Sequence, residues 1–197
     1  MPRVRSDDYD TKSQSIMDSA AALFATVGYP NAKMQDIART CGATKSMLYH
    51  YFPTKDDLLS AMLTEHLEKL IASVEEAVSG GVPVKDRFAA FVRTYAQKSA
   101  QSRRRHVIAM NDVKFLPKAM QTPLRQLEKT VTDQVAALLR EVNPGLQNHI
   151  YKPYAMMLLG MLNWTDYWYR PGGPMTSDEL CERITRLFLL GFMAEKK

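Results

Sequence analysis

A short stretch of the chain concentrates side chains that can bond to nucleic acid. Hydroxyls come from Thr44 and Ser46, and an ammonium group comes from Lys45. Tyr49 adds a phenol and His50 an imidazole. Such groups hydrogen-bond to phosphate oxygens and to the base edges that are open in the DNA grooves. These five side chains are therefore candidate contacts to double-stranded DNA.

Basic residues lie on both sides of this stretch. Lys55 falls at the start of the helix expected after Pro53, where an ammonium group and free N-terminal amides can hold a phosphate together. Lys33 directly precedes the helix expected from Met34. A basic arm that can follow the phosphate backbone is formed by Arg3, Arg5 and Lys12. The formal net charge of +5 permits an anionic partner without requiring one.

Residues 34–52 have the pattern of a helix-turn-helix, the element needed to present these side chains. Ile37 and the small Ala38 form the inner face of a first short helix. Gly42 supplies the turn residue that tolerates a positive φ, and Leu48 is the apolar anchor of the second helix. The candidate contacts then face outward. From spacing alone, two short helices packed only for stability remain the alternative.

Almost every other apolar pattern in the 197 residues has helical spacing, and no strand pattern is convincing. We predict an all-α fold of about nine helices, with a three-helix DNA-binding domain over residues 1–53 and a helical ligand-binding and dimerisation domain over 54–197. Thr176 and Glu179 predict a capping box before the last helix. Pro117 and Pro123 are expected to punctuate one connection.

Composition and motifs exclude several functions. Cys41 and Cys181 are the only cysteines and lack metal-ligand spacing, and His66, beside an apolar helical stripe, fits a satisfied core group better than a metal ligand. The chain has no catalytic signature such as GxSxG, HExxH or a Walker loop. It also has no signal-peptide core or membrane-length apolar run. We expect no cofactor, no metal, no membrane partner and a cytoplasmic location.

An aromatic stretch near the C-terminus allows two interpretations. Trp164 and Trp168 lie four residues apart on one helix, shortly before Arg170 and the turn Pro171–Pro174. The aromatics can fill the end of the core or a dimer interface. They can equally line the mouth of a ligand pocket, with Arg170 holding an anion.

The segment from Ile16 to Leu59 resembles the DNA-binding domain of the TetR family. The motifs that carry this resemblance are Ala22-Leu23-Phe24, Gly28-Tyr29, Asp36-Ile37-Ala38, Cys41-Gly42-Ala43-Thr44, Leu48-Tyr49-His50-Tyr51-Phe52, Lys55 and Leu58-Leu59. The resemblance implies a homodimer that places two recognition helices in successive major grooves of a palindromic operator, roughly 34–36 Å apart. It implies DNA contacts at Thr44, Lys45, Ser46, Tyr49, His50 and Lys55. Lys33 departs from the family pattern, which has Ser or Thr as the cap there.

The C-terminal part resembles TetR-like repressors of fatty-acid, sterol-side-chain and phenylacetate degradation, on Asn163-Trp164, Trp168-Tyr169-Arg170-Pro171-Gly172-Gly173, Asn111-Asp112 and Leu116-Pro117. The resemblance implies an acyl-CoA thioester as the effector, with a fatty acyl or, slightly favoured, a phenylacetyl group. Candidate lining residues for the acyl group and aromatic mouth are Met62, Phe88, Phe91, Tyr95, Met110, Met157, Trp164 and Trp168. Candidate phosphate contacts are Arg103, Arg104, Arg105, Lys114 and Arg170, and a solvated charged face is an equally good interpretation of the run Arg103–Arg105.

Ligand binding is then expected to move the fourth helix and release the dimer from DNA. The dimer is expected to form through the last two helices, on faces that carry Leu158, Leu162, Leu187, Phe188 and Gly191. The alternatives are a TetR-like sensor of a drug or another hydrophobic molecule, a helical acyl-CoA enzyme and a structural interaction module.

Overall fold

A computed structural model describes residues 3–196, with side chains from Asp8 onward. These residues form nine α-helices and one short 3-10 turn, and none of them lies in a strand. The predicted all-α class and the number of helices are confirmed. The helices are α1 (Arg3–Val27), α2 (Met34–Thr40), α3 (Lys45–Tyr51), α4 (Lys55–Val78), α5 (Val84–Gln101), α6 (Arg103–Asp112), α7 (Lys118–Val142), α8 (Asn148–Trp168) and α9 (Ser177–Ala194), and the 3-10 turn is Val113–Phe115.

Local sequence signals set several helix ends. α1 stops at Gly28, whose φ of 80° is in the left-handed region. α4 begins after a reciprocal pair in which the Thr54 amide donates to the Asp57 carboxylate and the Asp57 amide donates to the Thr54 hydroxyl, each at 3.0 Å. The predicted capping box of α9 is confirmed, since Thr176 and Glu179 exchange the same two bonds.

One expectation about helix boundaries is wrong. Pro123 does not lie in the connection before α7, because α7 begins at Lys118 and carries Pro123 in its second turn. A proline there removes only one helical amide, so it weakens the start of the helix without ending it. The Gln121 side chain also donates to the carbonyl of Leu116 at 2.7 Å, which anchors this first part of α7.

The chain divides into two compact units. The first takes the chain up to His66 together with Arg104–Leu124, so it contains α1–α3, the first half of α4, α6 and the start of α7. The second takes Leu67–Arg103 and the chain from Arg125 onward. This division follows compactness, and the boundary at residue 53 between the two functional domains stays a prediction.

The second unit has its own apolar core. In it, α5 packs against α8 and α9, which also contact each other. Its fully buried aromatic residues include Phe88 and Phe91 of α5, Tyr151 of α8 and Phe192 of α9. Among the described residues, no helix combines the length and apolar character needed to cross a bilayer.

Candidate DNA-binding site and effector domain

The helix-turn-helix is built on three small or apolar contacts. Ile37 and Leu48 are fully buried and Ala38 is 4% exposed, so α2 and α3 pack on the residues that the sequence predicted. The turn between them is closed by the Ala43 amide, which donates to the carbonyl of Ala38 at 2.9 Å. Gly42 holds a φ of 62° there, which explains the glycine at this position.

The predicted contact residues of α3 all lie on the exposed side of this packing. Thr44, Lys45, Ser46, Tyr49 and His50 are exposed. The Thr44 hydroxyl accepts from the Met47 amide at 3.1 Å and caps α3, and the Lys45 ammonium group lies 5.8 Å from the centre of the Tyr49 ring. The structure therefore brings these five side chains together on one exposed helix.

Two contacts that the sequence did not predict connect α1 with the helix-turn-helix. The rings of Tyr9 and Tyr51 stack with their centroids 4.5 Å apart. The Lys12 ammonium group donates to the carbonyl of Cys41 at 3.4 Å, at the end of α2. Lys12 therefore satisfies a backbone carbonyl at the turn. The side chains of its predicted partners in the basic arm, Arg3 and Arg5, lie outside the described side chains.

Lys33 lies where the missing cap was predicted. It is exposed, its backbone is extended at the N-terminus of α2, and its side chain makes no capping hydrogen bond. The first amides of α2 therefore lack the hydroxyl acceptor that serine or threonine provides. The Lys33 ammonium group remains a candidate phosphate contact.

Lys55 points inward, unlike the other candidate contacts. Its ammonium group donates to the carbonyls of Tyr29 at 2.8 Å, Pro30 at 3.3 Å and Ala32 at 3.0 Å. It also lies 4.4 Å from the centre of the Tyr29 ring. The buried Tyr29 hydroxyl donates to Asp56, and burial together with this carboxylate raises the pKa of the phenol. Lys55 thus holds the α1–α2 connection, and a phosphate contact would require it to exchange these carbonyls.

Three predicted ligand residues fall in the first unit. Met62 of α4 is fully buried, whereas Met110 of α6 is 51% exposed. Lys114 lies on the 3-10 turn with its ammonium group 5.2 Å from the centre of the Phe115 ring. These three positions do not share one environment, and their predicted contact with a ligand stays a prediction.

The second unit buries another three predicted ligand residues, Phe88, Phe91 and Tyr95, on one face of α5. The Tyr95 hydroxyl donates to the Asn163 side-chain oxygen of α8 at 2.7 Å. Desolvation by burial raises the pKa of Tyr95, so its hydroxyl keeps its proton at neutral pH. A neutral polar group is thus held inside an apolar core.

Arg103 lies beside a small recess of the second unit. Its guanidinium group contacts Asp166 of α8 at both the backbone carbonyl and the carboxylate. The recess has a volume of about 120 Å³ and is also lined by the side chains of Tyr169 and Cys181. Among the predicted phosphate contacts, Arg103 is thus engaged with a carboxylate of its own unit.

The remaining predicted ligand residues lie on the surface of α8 and the turn after it. Met157, Trp164 and Trp168 are 50%, 63% and 51% exposed. Arg170 is exposed and donates to the carbonyls of Tyr167 and Tyr169 at 3.3 and 3.2 Å. The structure therefore does not gather these side chains with the buried α5 residues into one cavity of this unit.

The predicted dimer faces need a correction. Leu158, Leu162 and Phe188 cannot be outer contact residues, because they are 0%, 3% and 8% exposed in the core of their own unit. Leu187 and Gly191 do lie on the surface. Each of the two helices carries apolar residues on two faces, so spacing alone did not separate the inner from the outer face. The exposed apolar residues are Met156, Met157, Trp164, Tyr167 and Trp168 on α8, and Leu187, Leu190 and Met193 on α9, which we call the outer apolar face.

Comparison with known protein families identifies the family of this chain. Residues 16–62 match the model of the bacterial regulatory proteins of the tetR family, and residues 81–192 match the tetracyclin repressor-like C-terminal domain. The chain therefore belongs to the TetR family. It is a TetR-type transcriptional repressor with a DNA-binding domain, and the proteins of this family are transcriptional regulators and not enzymes.

Three relatives illustrate the match. A TetR-family regulator from Bordetella parapertussis 12822 is 33% identical, with 94% of this chain and 97% of that chain covered and a TM-score of 0.86. The repressor KstR2 of Rhodococcus jostii (strain RHA1) is 28% identical over 192 residues, which cover 94% of each chain. AibR, solved in complex with isovaleryl coenzyme A and operator DNA, shares the fold at 23% identity and a TM-score of 0.76, with 90% of this chain and 96% of that chain covered.

Proposed function

We propose that this chain is a ligand-responsive repressor that binds a palindromic operator as a homodimer and is released by an acyl-CoA thioester. The observation that carries the DNA part is the exposed row of polar side chains on α3 above the buried Leu48. Lys45 and Tyr49 have the longest side chains of this row. Both are suited to phosphate and base-edge contacts.

Operator binding can be tested with two variants of α3 and one charge-matched control. Operator duplexes are selected from a random library with the wild-type protein, and affinity is measured for Lys45→Ala, Tyr49→Ala and Lys85→Ala. Lys85 is exposed in the second unit, so Lys85→Ala removes the same charge as Lys45→Ala at a site away from α3. We expect the two α3 variants to lose about 10-fold or more, from one or two lost contacts, and Lys85→Ala to stay near wild type. Equal losses for all three variants would contradict a DNA contact by α3.

The dimer proposal rests on the outer apolar face. Leu187 and Leu190 are 68% and 66% exposed on α9, one turn apart, and α8 also carries exposed aromatic residues. Exposed apolar residues of this kind favour a self-complementary interface, and two copies of α8 and α9 would form a four-helix bundle. Sedimentation of Leu190→Glu should show a monomer. Val82→Glu, at a 53% exposed residue before α5, should leave the dimer intact.

The effector proposal combines the resemblance with the chemistry of the C-terminal unit. Acyl-CoA thioesters carry an apolar chain and several phosphates, and the exposed aromatic residues of α8 lie close in sequence to Arg170. AibR shares the fold and was solved with isovaleryl coenzyme A and operator DNA, which supports an acyl-CoA effector for this chain. Effector binding is proposed to act through α4, which contributes its first half to one unit and its second half to the other.

The effector test is release of the selected operator duplex. Phenylacetyl-CoA, isovaleryl-CoA and palmitoyl-CoA are compared with free CoA and with the corresponding free acids, by gel shift and native mass spectrometry. Release by one thioester, without release by its free acid, would support the proposal. Release by a hydrophobic molecule that lacks CoA would instead favour the drug-sensor alternative. By linkage, the operator duplex must weaken thioester binding by the factor that the thioester weakens operator binding.

A further inference from the structure

Arg105, at the start of α6, makes ion pairs that the proposed DNA contacts of α3 do not explain. We propose that Arg105 is a positioning residue that fixes α6 against α1 and α4, so that the placement of the helix-turn-helix depends on α6. The inference rests on DNA binding by α3 and is independent of the effector's identity.

α6 lies almost entirely in the first unit, which also contains the helix-turn-helix. Residues 104–124 form one compact unit with the chain up to His66. The match to the family's DNA-binding domain covers residues 16–62, whereas α6 falls in the match to the C-terminal domain over residues 81–192, so α6 reaches this unit from a distant part of the chain. A contact that holds α6 in this unit must therefore come from side chains far apart in sequence.

Arg105 makes that contact with two helices at once. Its Nη2 lies 2.7 Å from the Asp18 carboxylate and donates to the Gln14 side-chain oxygen at 3.2 Å, both on α1. Its Nη1 lies 3.5 Å from the Glu65 carboxylate of α4. Gln14 and Glu65 are themselves joined by a hydrogen bond of 2.7 Å. One guanidinium group therefore closes a ring of contacts among α1, α4 and α6.

Burial makes this ring sensitive to a displacement of α6. The Arg105 side chain is only 11% exposed and that of Glu65 is 20% exposed, whereas that of Asp18 is 71% exposed. A buried charge that loses its partner is far costlier than an exposed one. The guanidinium group also presents separate N–H groups to α1 and α4, which the single ammonium group of a lysine would not reproduce. Arg105 thus connects α6 to Glu65, the more buried of its two carboxylate partners, and to Gln14 and Asp18 of α1.

Two further contacts hold α6 and the turn after it to the same unit. His106 is 2% exposed, and its Nδ1 lies 3.1 Å from Nε2 of His66 on α4, which is 4% exposed. The Phe115 ring stacks on Tyr29 with centroids 6.1 Å apart, beside the α1–α2 connection. Since α1 packs on α2 and α2 on α3, a shift of α6 is transmitted through α1 to the recognition helix.

The adjacent arginine provides a matched control. Arg104 is exposed, so Arg104→Gln and Arg105→Gln remove the same charge one residue apart. Affinity for the selected operator duplex is measured for both variants, at a temperature where circular dichroism shows both to be folded. We expect Arg105→Gln to bind about 10-fold more weakly than Arg104→Gln. The dependence of operator affinity on salt should be the same for both, because neither side chain is proposed to contact a phosphate of the DNA.

Glu65→Gln tests the opposite end of the contact and serves if Arg105→Gln does not fold. Glu65→Gln should also weaken operator binding. The double variant Glu65→Gln/Arg105→Gln should bind the operator less weakly than the sum of the two single effects predicts. Hydrogen exchange of α6 amides should be faster in both variants than in Arg104→Gln. A role in folding stability alone would lower the urea midpoint and leave operator affinity of the folded variants unchanged, and that result would overturn the inference. If the wild-type protein selects no operator duplex, the proposed function is wrong, and the inference about Arg105 fails with it.

Discussion

The buried histidine pair makes the stability of the first unit depend on pH. Burial, together with the neighbouring His106 and Arg105, lowers the pKa of His66 to about 3, and Glu65 opposes this shift. His66 is therefore neutral when the protein is folded at neutral pH. In the unfolded chain the same imidazole has an ordinary pKa of about 6.5.

The sign and size of the effect follow from these two values. The folded-state pKa is depressed, so the unfolded state binds the proton first. The stability is present in full above the unfolded pKa of about 6.5 and is lost progressively as the pH falls toward about 3. Each unit of pH in that window costs about 1.4 kcal/mol, so the loss at about pH 5 is roughly 2 kcal/mol.

Urea unfolding at about pH 7.5 and about pH 5 measures this loss. The wild type is compared with His66→Gln, which keeps a hydrogen-bonding side chain, and with His149→Gln, which removes an exposed histidine. The free energy of unfolding of the wild type and of His149→Gln should fall by similar amounts between the two pH values. The fall for His66→Gln should be smaller by about 2 kcal/mol. An equal fall in all three proteins would refute the assignment of a buried neutral imidazole.

Three further predictions concern the helix-turn-helix and its support. Gly42→Ala should lower the free energy of unfolding by roughly 1–2 kcal/mol, measured in urea, because Gly42 has a φ of 62° and an alanine is strained there. Thr44→Ala should cost about 1 kcal/mol through the lost cap of α3, whereas Thr44→Ser should retain it, and equal losses would contradict the capping role. Lys55→Met should destabilise the protein by roughly 1–3 kcal/mol because three carbonyls lose their donor. The salt dependence of operator binding by Lys55→Met should match that of wild type, since a phosphate contact would instead reduce the slope by about one.

The helix-turn-helix was predictable because its signals are local. The spacing of Ile37, Ala38 and Leu48, the glycine of the turn and the cap at Thr44 all act within a few residues of one another. The direction of Lys55 was not predictable in the same way. Its partners are carbonyls of the α1–α2 connection, more than twenty residues away, and a backbone carbonyl has no signature in sequence.

The two-sided helices of the C-terminal unit limited the prediction of its site. Leu158 and Leu162 were assigned to the dimer contact and are buried in their own unit, whereas Trp164 and Trp168 are exposed. All four have helical spacing and apolar character, so periodicity identified the helix and left its orientation open. The exposed tryptophans fit the interpretation of a dimer interface as well as that of a pocket mouth, because a partner helix or a ligand would cover them equally.

The run Arg103–Arg105 shows why a cluster of like charges need not act as one patch. Successive residues of a helix point about 100° apart, so three neighbouring guanidinium groups face three directions. Arg103 contacts Asp166 in the second unit, Arg105 is largely buried against α1 and α4 in the first, and Arg104 is exposed. A solvated charged face describes Arg104 and the exposed part of Arg103, but not Arg105. The boundary between the units falls between Arg103 and Arg104, so residues on each side of it are held by ion pairs within their own unit.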